Sequence, residues 1–115
     1  MRDLKGRVAL LTGASSGLGP VIARRLNREG VRFVLSARDK TRLDALGAEL
    51  GEATVVPADL AQRGEAERLA AAAGAVDILV ANAGVPASGR LADFAVEQLD
   101  RALDINLRSA IVLSR

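Results

Sequence analysis

Short apolar runs alternate along the chain with segments whose apolar residues recur at helical spacing, and Gly or Asp marks most junctions. Val8-Ala9-Leu10-Leu11, bordered by glycines, has the length and composition of a buried strand. The next segment sets Leu18, Val21, Ile22 and Leu26 at helical spacing with Arg24, Arg25 and Arg28 facing out, and Gly30 is a natural stop for it. Val31 to Ser36 reads as a second strand. Thr41 to Leu50 reads as a helix with Leu43, Leu46 and Leu50 on one face. Thr54-Val55-Val56 is a short β-branched third strand. An Ala-rich helix over Glu65 to Ala73 ends at Gly74, and Val76-Asp77-Ile78-Leu79-Val80 forms the fourth strand. Gly84 to Gly89, with two Gly and one Pro, is a loop. From about Val96 a helix runs to the last residue, with Leu99, Leu103, Leu107 and Ile111 along one side.

An order of βαβαβαβα requires parallel strands joined by right-handed crossovers, so the class is α/β. The last helix reaches Leu113-Ser114-Arg115 with no Gly, Asn or Pro to end it, and a doubly wound sheet normally continues past its fourth strand. The expectation is one incomplete domain over residues 1–115, the first half of a larger fold. Its fourth-strand edge and final helix would expose apolar surface and drive homo-oligomer formation, as a dimer or tetramer.

Composition removes several function classes. Half of the 115 residues are hydrophobic, and 16 basic side chains nearly balance 14 acidic ones. Phe33 and Phe94 are the only aromatics, and no basic block is interleaved with aromatics, so a nucleic-acid partner is not expected. Without Cys there is no disulfide framework, thiol nucleophile or thiolate metal site. Without His there is no Ser-His-Asp triad, His general base or ordinary zinc site. The first residues lack the apolar region of a signal peptide, and no apolar run approaches the roughly 20 residues of a membrane span. A cytoplasmic location with no membrane partner follows as the default.

The chemistry concentrates in a glycine run. Gly13, Gly17 and Gly19 give the spacing G-x-x-x-G-x-G between a strand and an amphipathic helix. Gly13 lets the strand turn sharply, Gly17 lets backbone approach a phosphate, and Gly19 lets the helix pack close to the sheet. The helix N-terminus adds N–H donors and the positive end of a dipole. An ordinary glycine-rich turn is the bland alternative, but the strand before and the helix after are those of a pyrophosphate grip. No Gly-Lys-Ser/Thr follows, which excludes a Walker A loop, and Pro20 falls in the first helical turn, where a missing N–H costs little.

Thr12-Gly13-x-x-x-Gly17-x-Gly19, within the wider stretch Val8–Leu26, resembles the cofactor fingerprint of the short-chain dehydrogenases/reductases. The resemblance covers the whole chain and includes three further motifs. It implies a Rossmann-type doubly wound parallel sheet and a dinucleotide held by Thr12, Gly13, Ser15, Ser16, Gly17, Leu18 and Gly19.

The end of the second strand, Ser36-Ala37-Arg38-Asp39, is where the adenosine ribose is expected. An acidic side chain there accepts from the ribose 2′-hydroxyl and repels a 2′-phosphate. NAD-preferring members of the family usually carry Asp at the position of Ala37. Arg38 follows instead, a fork suited to phosphate, and Ser15 adds a hydroxyl donor. NADP(H) is therefore favoured over NAD(H), against the alternative of Arg38 as a solvated cation beside Asp39.

Asp59-Leu60 follows the third strand. The resemblance implies that the Asp59 carboxylate accepts from the adenine amino group and that Leu60 backbone contacts the ring. Asp59-Leu60-Ala61-Gln62 also reads as a helix capping box. Asn82-Ala83-Gly84 follows the fourth strand, where the family usually has Asn-Asn-Ala-Gly. Here Ala81 replaces the first Asn, which puts some strand-to-strand bonding in doubt.

Asn106 lies on the helix face of Leu103 and Ala110, read here as inward, where an amide must find partners. It is either a structural Asn that kinks the helix or, as the resemblance implies, the family's active-site Asn, which orders a water in a proton relay to a lysine. Family chemistry moves a hydride between nicotinamide C4 and an alcohol or carbonyl substrate. It uses a Tyr acid/base, a Lys four residues later and a Ser. The chain has no Tyr, and its only lysines are Lys5 and Lys40, so these 115 residues alone are expected to bind cofactor without turning it over. Two rivals remain open: a non-catalytic dinucleotide-binding module and an inactive gene fragment. A methyltransferase fits less well, since it too would want an acid after the second strand.

Overall fold

The computed structural model describes residues 3–51, 53–84 and 91–115. Strands β1 (Val8–Thr12), β2 (Arg32–Ser36), β3 (Ala53–Val55) and β4 (Ile78–Val80) form one parallel sheet in the order β3-β2-β1-β4. The register pairs Leu11 with Leu35 and Thr12 with Ser36 on one side of β1, and Leu11 with Val80 on the other. The C-terminal ends of all four parallel strands therefore open at one edge of the sheet.

Alternate residues of β1 and β2 point to opposite faces, and both faces are covered. Ala9, Leu11, Phe33 and Leu35 pack with Ala23 of α1 (Leu18–Asn27) and with Leu43, Leu46 and Leu50 of α2 (Lys40–Leu50). Leu10 and Val34 face the other way, onto Ala66 and Leu69 of α3 (Glu65–Ala73) and onto Ile105. Gly74 ends α3 as its spacing predicts, with a left-handed φ of +69°.

Three details depart from the sequence pattern. Pairing in β4 begins at Ile78 rather than Val76; Asp77 ahead of it binds Val8 twice, its N–H donating to the Val8 carbonyl at 2.8 Å and its carboxylate accepting from the Val8 N–H at 2.9 Å. In α1 the buried residues are Gly19 and Ala23, while Leu18 and Val21 are 66% and 59% exposed. The two small residues bring the helix axis so close to the sheet that only a narrow stripe is covered. A Cβ on Gly19 would lie 2.1 Å from the Gly13 carbonyl oxygen.

The final helical segment is the third. It comprises α4 (Val96–Leu103), a π-helical turn over Asp104–Arg108 and α5 (Ser109–Ser114). Ile105 and Ser109 are buried, whereas Leu103, Leu107 and Ile111 are more than half exposed. The leucine stripe thus faces away from the sheet. The inward face includes a serine whose hydroxyl donates to the Ile105 carbonyl at 2.6 Å within its own helix. The loop expected over Gly84 to Gly89 lies largely outside the described residues. Among the described residues no helix is long and apolar enough to cross a membrane.

Candidate nucleotide site

A cavity of about 440 Å³ opens at the C-terminal edge of the sheet, the place where open α/β sheets bind ligands. Its walls come from four segments: Gly13, Ser15 and Ser16 after β1; Ser36 to Asp39 with Arg42 after β2; Ala58 to Leu60 after β3; and Ala83 and Gly84 after β4. Ile105 of the π-turn closes the inner side.

The glycine run turns where each glycine is required. Gly13 has φ +63°, and a Cβ there would meet the Ala83 backbone at 2.9 Å. Gly17 has φ +60° with nothing within 4 Å of a built Cβ, so its backbone stands open for close approach. As the residue before α1 it provides no side-chain cap; the Gly19 N–H donates to the Ser16 carbonyl at 3.1 Å and Pro20 has no N–H, so Leu18 carries the first-turn donor left to another acceptor. The loop is also tied to the next strand, since the Ala14 N–H donates to the Ser36 carbonyl at 3.1 Å.

Asn82 and Thr12 knit the ends of β1 and β4. Thr12 is buried, and its Oγ1 accepts from both the Asn82 and the Ala83 N–H at 3.1 Å. The Asn82 side-chain amide donates to the Gly13 carbonyl at 3.2 Å. The bonding that Ala81 put in doubt is therefore supplied by Asn82 and the Thr12 hydroxyl.

The β3 side is positioned by α3. The Ala58 N–H donates to the Ala37 carbonyl at 3.1 Å, and Arg68 donates to the Pro57 carbonyl at 2.6 Å. The Arg68 hydrogen bond holds the Glu65 carboxyl below the usual glutamate range, with a smaller contribution from the Asp59 N–H. Asp59 does not cap a helix, since α3 begins only at Glu65. Its Oδ1 instead accepts from the Ala61 N–H at 3.0 Å in a local turn, with the residue half-buried at the cavity wall.

Arg38 is exposed at the cavity rim and forms no ion pair among the described residues. The neighbouring Asp39 is engaged elsewhere, capping α2 through the Arg42 N–H at 3.1 Å and lying 3.5 Å from Arg42 Nε. Arg38 is thus not neutralised by the acid beside it in sequence.

Eight of the proposed cofactor residues line this cavity: Gly13, Ser15, Ser16, Arg38, Asp59, Leu60, Ala83 and Gly84. Thr12, Asn82 and Gly19 lie behind them as supports, while Gly17 and Leu18 are exposed at the start of α1, directly after the wall residue Ser16. Asn106 is exposed rather than inward, because Ile105 and Ser109 take the buried face. Its amide reaches toward the cavity end nonetheless: a Cβ on Gly84 would come within 3.2 Å of Asn106 Oδ1. Two ion pairs bracket this turn, Arg63 with Asp104 at 3.1 Å and Arg108 with Glu67 at 3.7 Å. Sequence reasoning missed Arg42, Ala58 and Ile105 as wall residues. The three-residue spacing of Asp39 and Arg42 at a helix start was the available signal for Arg42.

The residues present fit a dinucleotide: a bare glycine backbone, a guanidinium with no ion pair among the described residues and a half-buried carboxylate surround one cavity of ligand size. The sequence pattern of the short chain dehydrogenases matches residues 7–115. The chain belongs to the short-chain dehydrogenase family. It is 38% identical over 117 residues to an uncharacterized oxidoreductase of Staphylococcus haemolyticus, covering 96% of this chain and 51% of that protein. It is 37% identical over 116 residues to a 3-oxoacyl-[acyl-carrier-protein] reductase of Rickettsia bellii, covering all of this chain and 48% of the reductase. Among solved structures, a blue fluorescent protein from a metagenomic library, in complex with NADPH, superposes with a TM-score of 0.90 at 32% identity. That match covers 97% of this chain and 50% of the other. The chain spans about half the length of the short-chain dehydrogenases it matches.

Proposed function

We propose that this chain is the dinucleotide-binding part of a short-chain oxidoreductase that prefers NADP(H) to NAD(H) and acts on a small alcohol or carbonyl compound. The observation that carries the preference is Arg38, a guanidinium at the cavity rim with no ion pair among the described residues. The NADPH bound to the metagenomic blue fluorescent protein supports the same reading.

A bound nicotinamide cofactor supplies or accepts a hydride at the substrate carbon. In this reading Gly13, Ser15, Ser16 and the open Gly17 backbone hold the pyrophosphate, with Leu18 and Gly19 starting the helix that faces it. Arg38 and Ser15 take the 2′-phosphate, Asp59 and Leu60 the adenine, and Ala83 and Gly84 the inner ribose, with Thr12 and Asn82 fixing their positions. Asn106, next to Gly84, orders a water for the proton relay. The acid/base step itself has no candidate in a sequence without tyrosine.

Calorimetric titration of the 115-residue chain with NADPH and NADH tests the proposal. Saturable binding with NADPH about 10- to 150-fold tighter is expected from one charge-assisted contact of about 1.5–3 kcal/mol. Equal affinities would remove the preference, and no binding of either would remove the function. The exposed Leu103, Leu107 and Ile111 favour a homo-oligomer, which a clean monomer in sedimentation would refute.

A further inference from the structure

We propose that Arg42 is a specificity residue of the cavity, acting by neutralising Asp39 and so making the ribose end attractive to a phosphomonoester. The proposal rests on the dinucleotide reading above. Arg38, Asp39 and Arg42 all line the cavity. An unpaired carboxylate at Asp39, next to the phosphate-binding fork of Arg38, would repel a 2′-phosphate and cancel much of what Arg38 contributes.

The geometry removes that conflict with a single residue. The Arg42 N–H binds Asp39 Oδ1 at 3.1 Å, and its guanidinium Nε lies 3.5 Å from Asp39 Oδ2. Both carboxylate oxygens are therefore turned toward α2, and the trio keeps one positive charge in excess at the cavity rim. Lys40, the other cation of this turn, is drawn away to Asp44 at 2.6 Å and leaves the task to Arg42. Because the helix cap uses the backbone N–H of Arg42, a change of its side chain removes the neutralising charge and leaves the cap in place.

The test is a two-by-two set of chains, with Arg42→Gln and Asp39→Asn alone and together, titrated with NADPH and NADH and checked by circular dichroism. Asn caps a helix as well as Asp, so Asp39→Asn removes charge without removing the cap. Arg42→Gln is expected to weaken NADPH about two- to fivefold and NADH less than twofold, in the range of an exposed ion pair. Asp39→Asn is expected to tighten NADPH about two- to fivefold, and in that background Arg42→Gln should cost little, since the charge it screened is gone. An unchanged NADPH:NADH ratio in Arg42→Gln would overturn the proposal while leaving the dinucleotide reading intact. An equal loss in both backgrounds would overturn the neutralisation and make Arg42 a direct phosphate contact. Failure of the unsubstituted chain to bind either nucleotide would overturn the dinucleotide reading, and this inference with it.

Discussion

Thr12 Oγ1 and the Asn82 N–H meet at 3.1 Å across the ends of β1 and β4, and the same oxygen accepts from Ala83 at 3.1 Å. One hydroxyl therefore holds the backbone that forms the inner wall of the cavity. Thr12→Val keeps the shape and deletes the acceptor, so it should lower stability by about 1–3 kcal/mol. Thr12→Ser should restore most of this. Urea denaturation of the three chains reads the difference, and equal midpoints for Thr and Val would contradict it.

The three glycines of the run should respond unequally to alanine. A Cβ on Gly19 collides with the Gly13 carbonyl oxygen at 2.1 Å and with Ala14 Cα at 2.8 Å, both backbone, so Gly19→Ala should prevent folding or cost more than about 3 kcal/mol. Gly17 has open space, and only its backbone conformation, φ +60° and ψ −126°, resists substitution, at about 1–3 kcal/mol. Gly17→Ala is expected to stay folded and to lose nucleotide binding, which paired melting and titration experiments separate.

Ser36 Oγ is buried and has no hydrogen-bond partner among the described residues. A buried hydroxyl left unpaired disfavours the folded state, so Ser36→Ala should raise stability by about 1 kcal/mol. A lower melting temperature in that variant would show that the hydroxyl is paired in solution.

Acid should weaken the chain through two carboxylates. The Arg24 hydrogen bond, aided by its charge, holds the Glu49 carboxyl below the ordinary value of 4.5, and Arg68 does the same for Glu65. A carboxyl with a lowered folded pKa contributes stability above its unfolded value and loses it as pH falls through the folded one. The stability of the chain should therefore decline below about pH 4.5, with both pairs on the surface and the decline correspondingly shallow. Glu49→Gln with Glu65→Gln should flatten this limb in denaturation curves taken from pH 7 to pH 3. A limb unchanged by both substitutions would mean that other groups control it.

Much of the fold was legible because its punctuation is local. Gly74 stops α3 where the Ala-rich pattern predicts, and Val8 to Leu11 fill β1 between glycines. Most cavity residues were legible for the same reason, since they fall within a few residues of a strand end. The last helix was not. Its strongest apolar stripe, Leu103, Leu107 and Ile111, faces outward, while the covered side uses Ile105 and a self-satisfied Ser109. Hydrophobicity ranks a buried serine below an exposed leucine, and only tertiary packing decides which stripe is inward. Arg42 was half hidden: its three-residue spacing from Asp39 at the start of α2 signals the pair, but not that this turn stands beside Arg38 at the cavity.

The π-helical turn at Asp104–Arg108 has a bearing on how this helix tolerates changes of length. A turn closed by i→i+5 bonds holds one residue more than an α-turn. That surplus makes the segment an adjustable joint. Loss of one residue within it can be absorbed by tightening to α geometry, leaving Val112 and Leu113 against the same core side chains. The same loss after Ser109 would swing every following side chain by about 100°. Shortening is therefore tolerable at the joint beside Asn106 and disruptive one turn later.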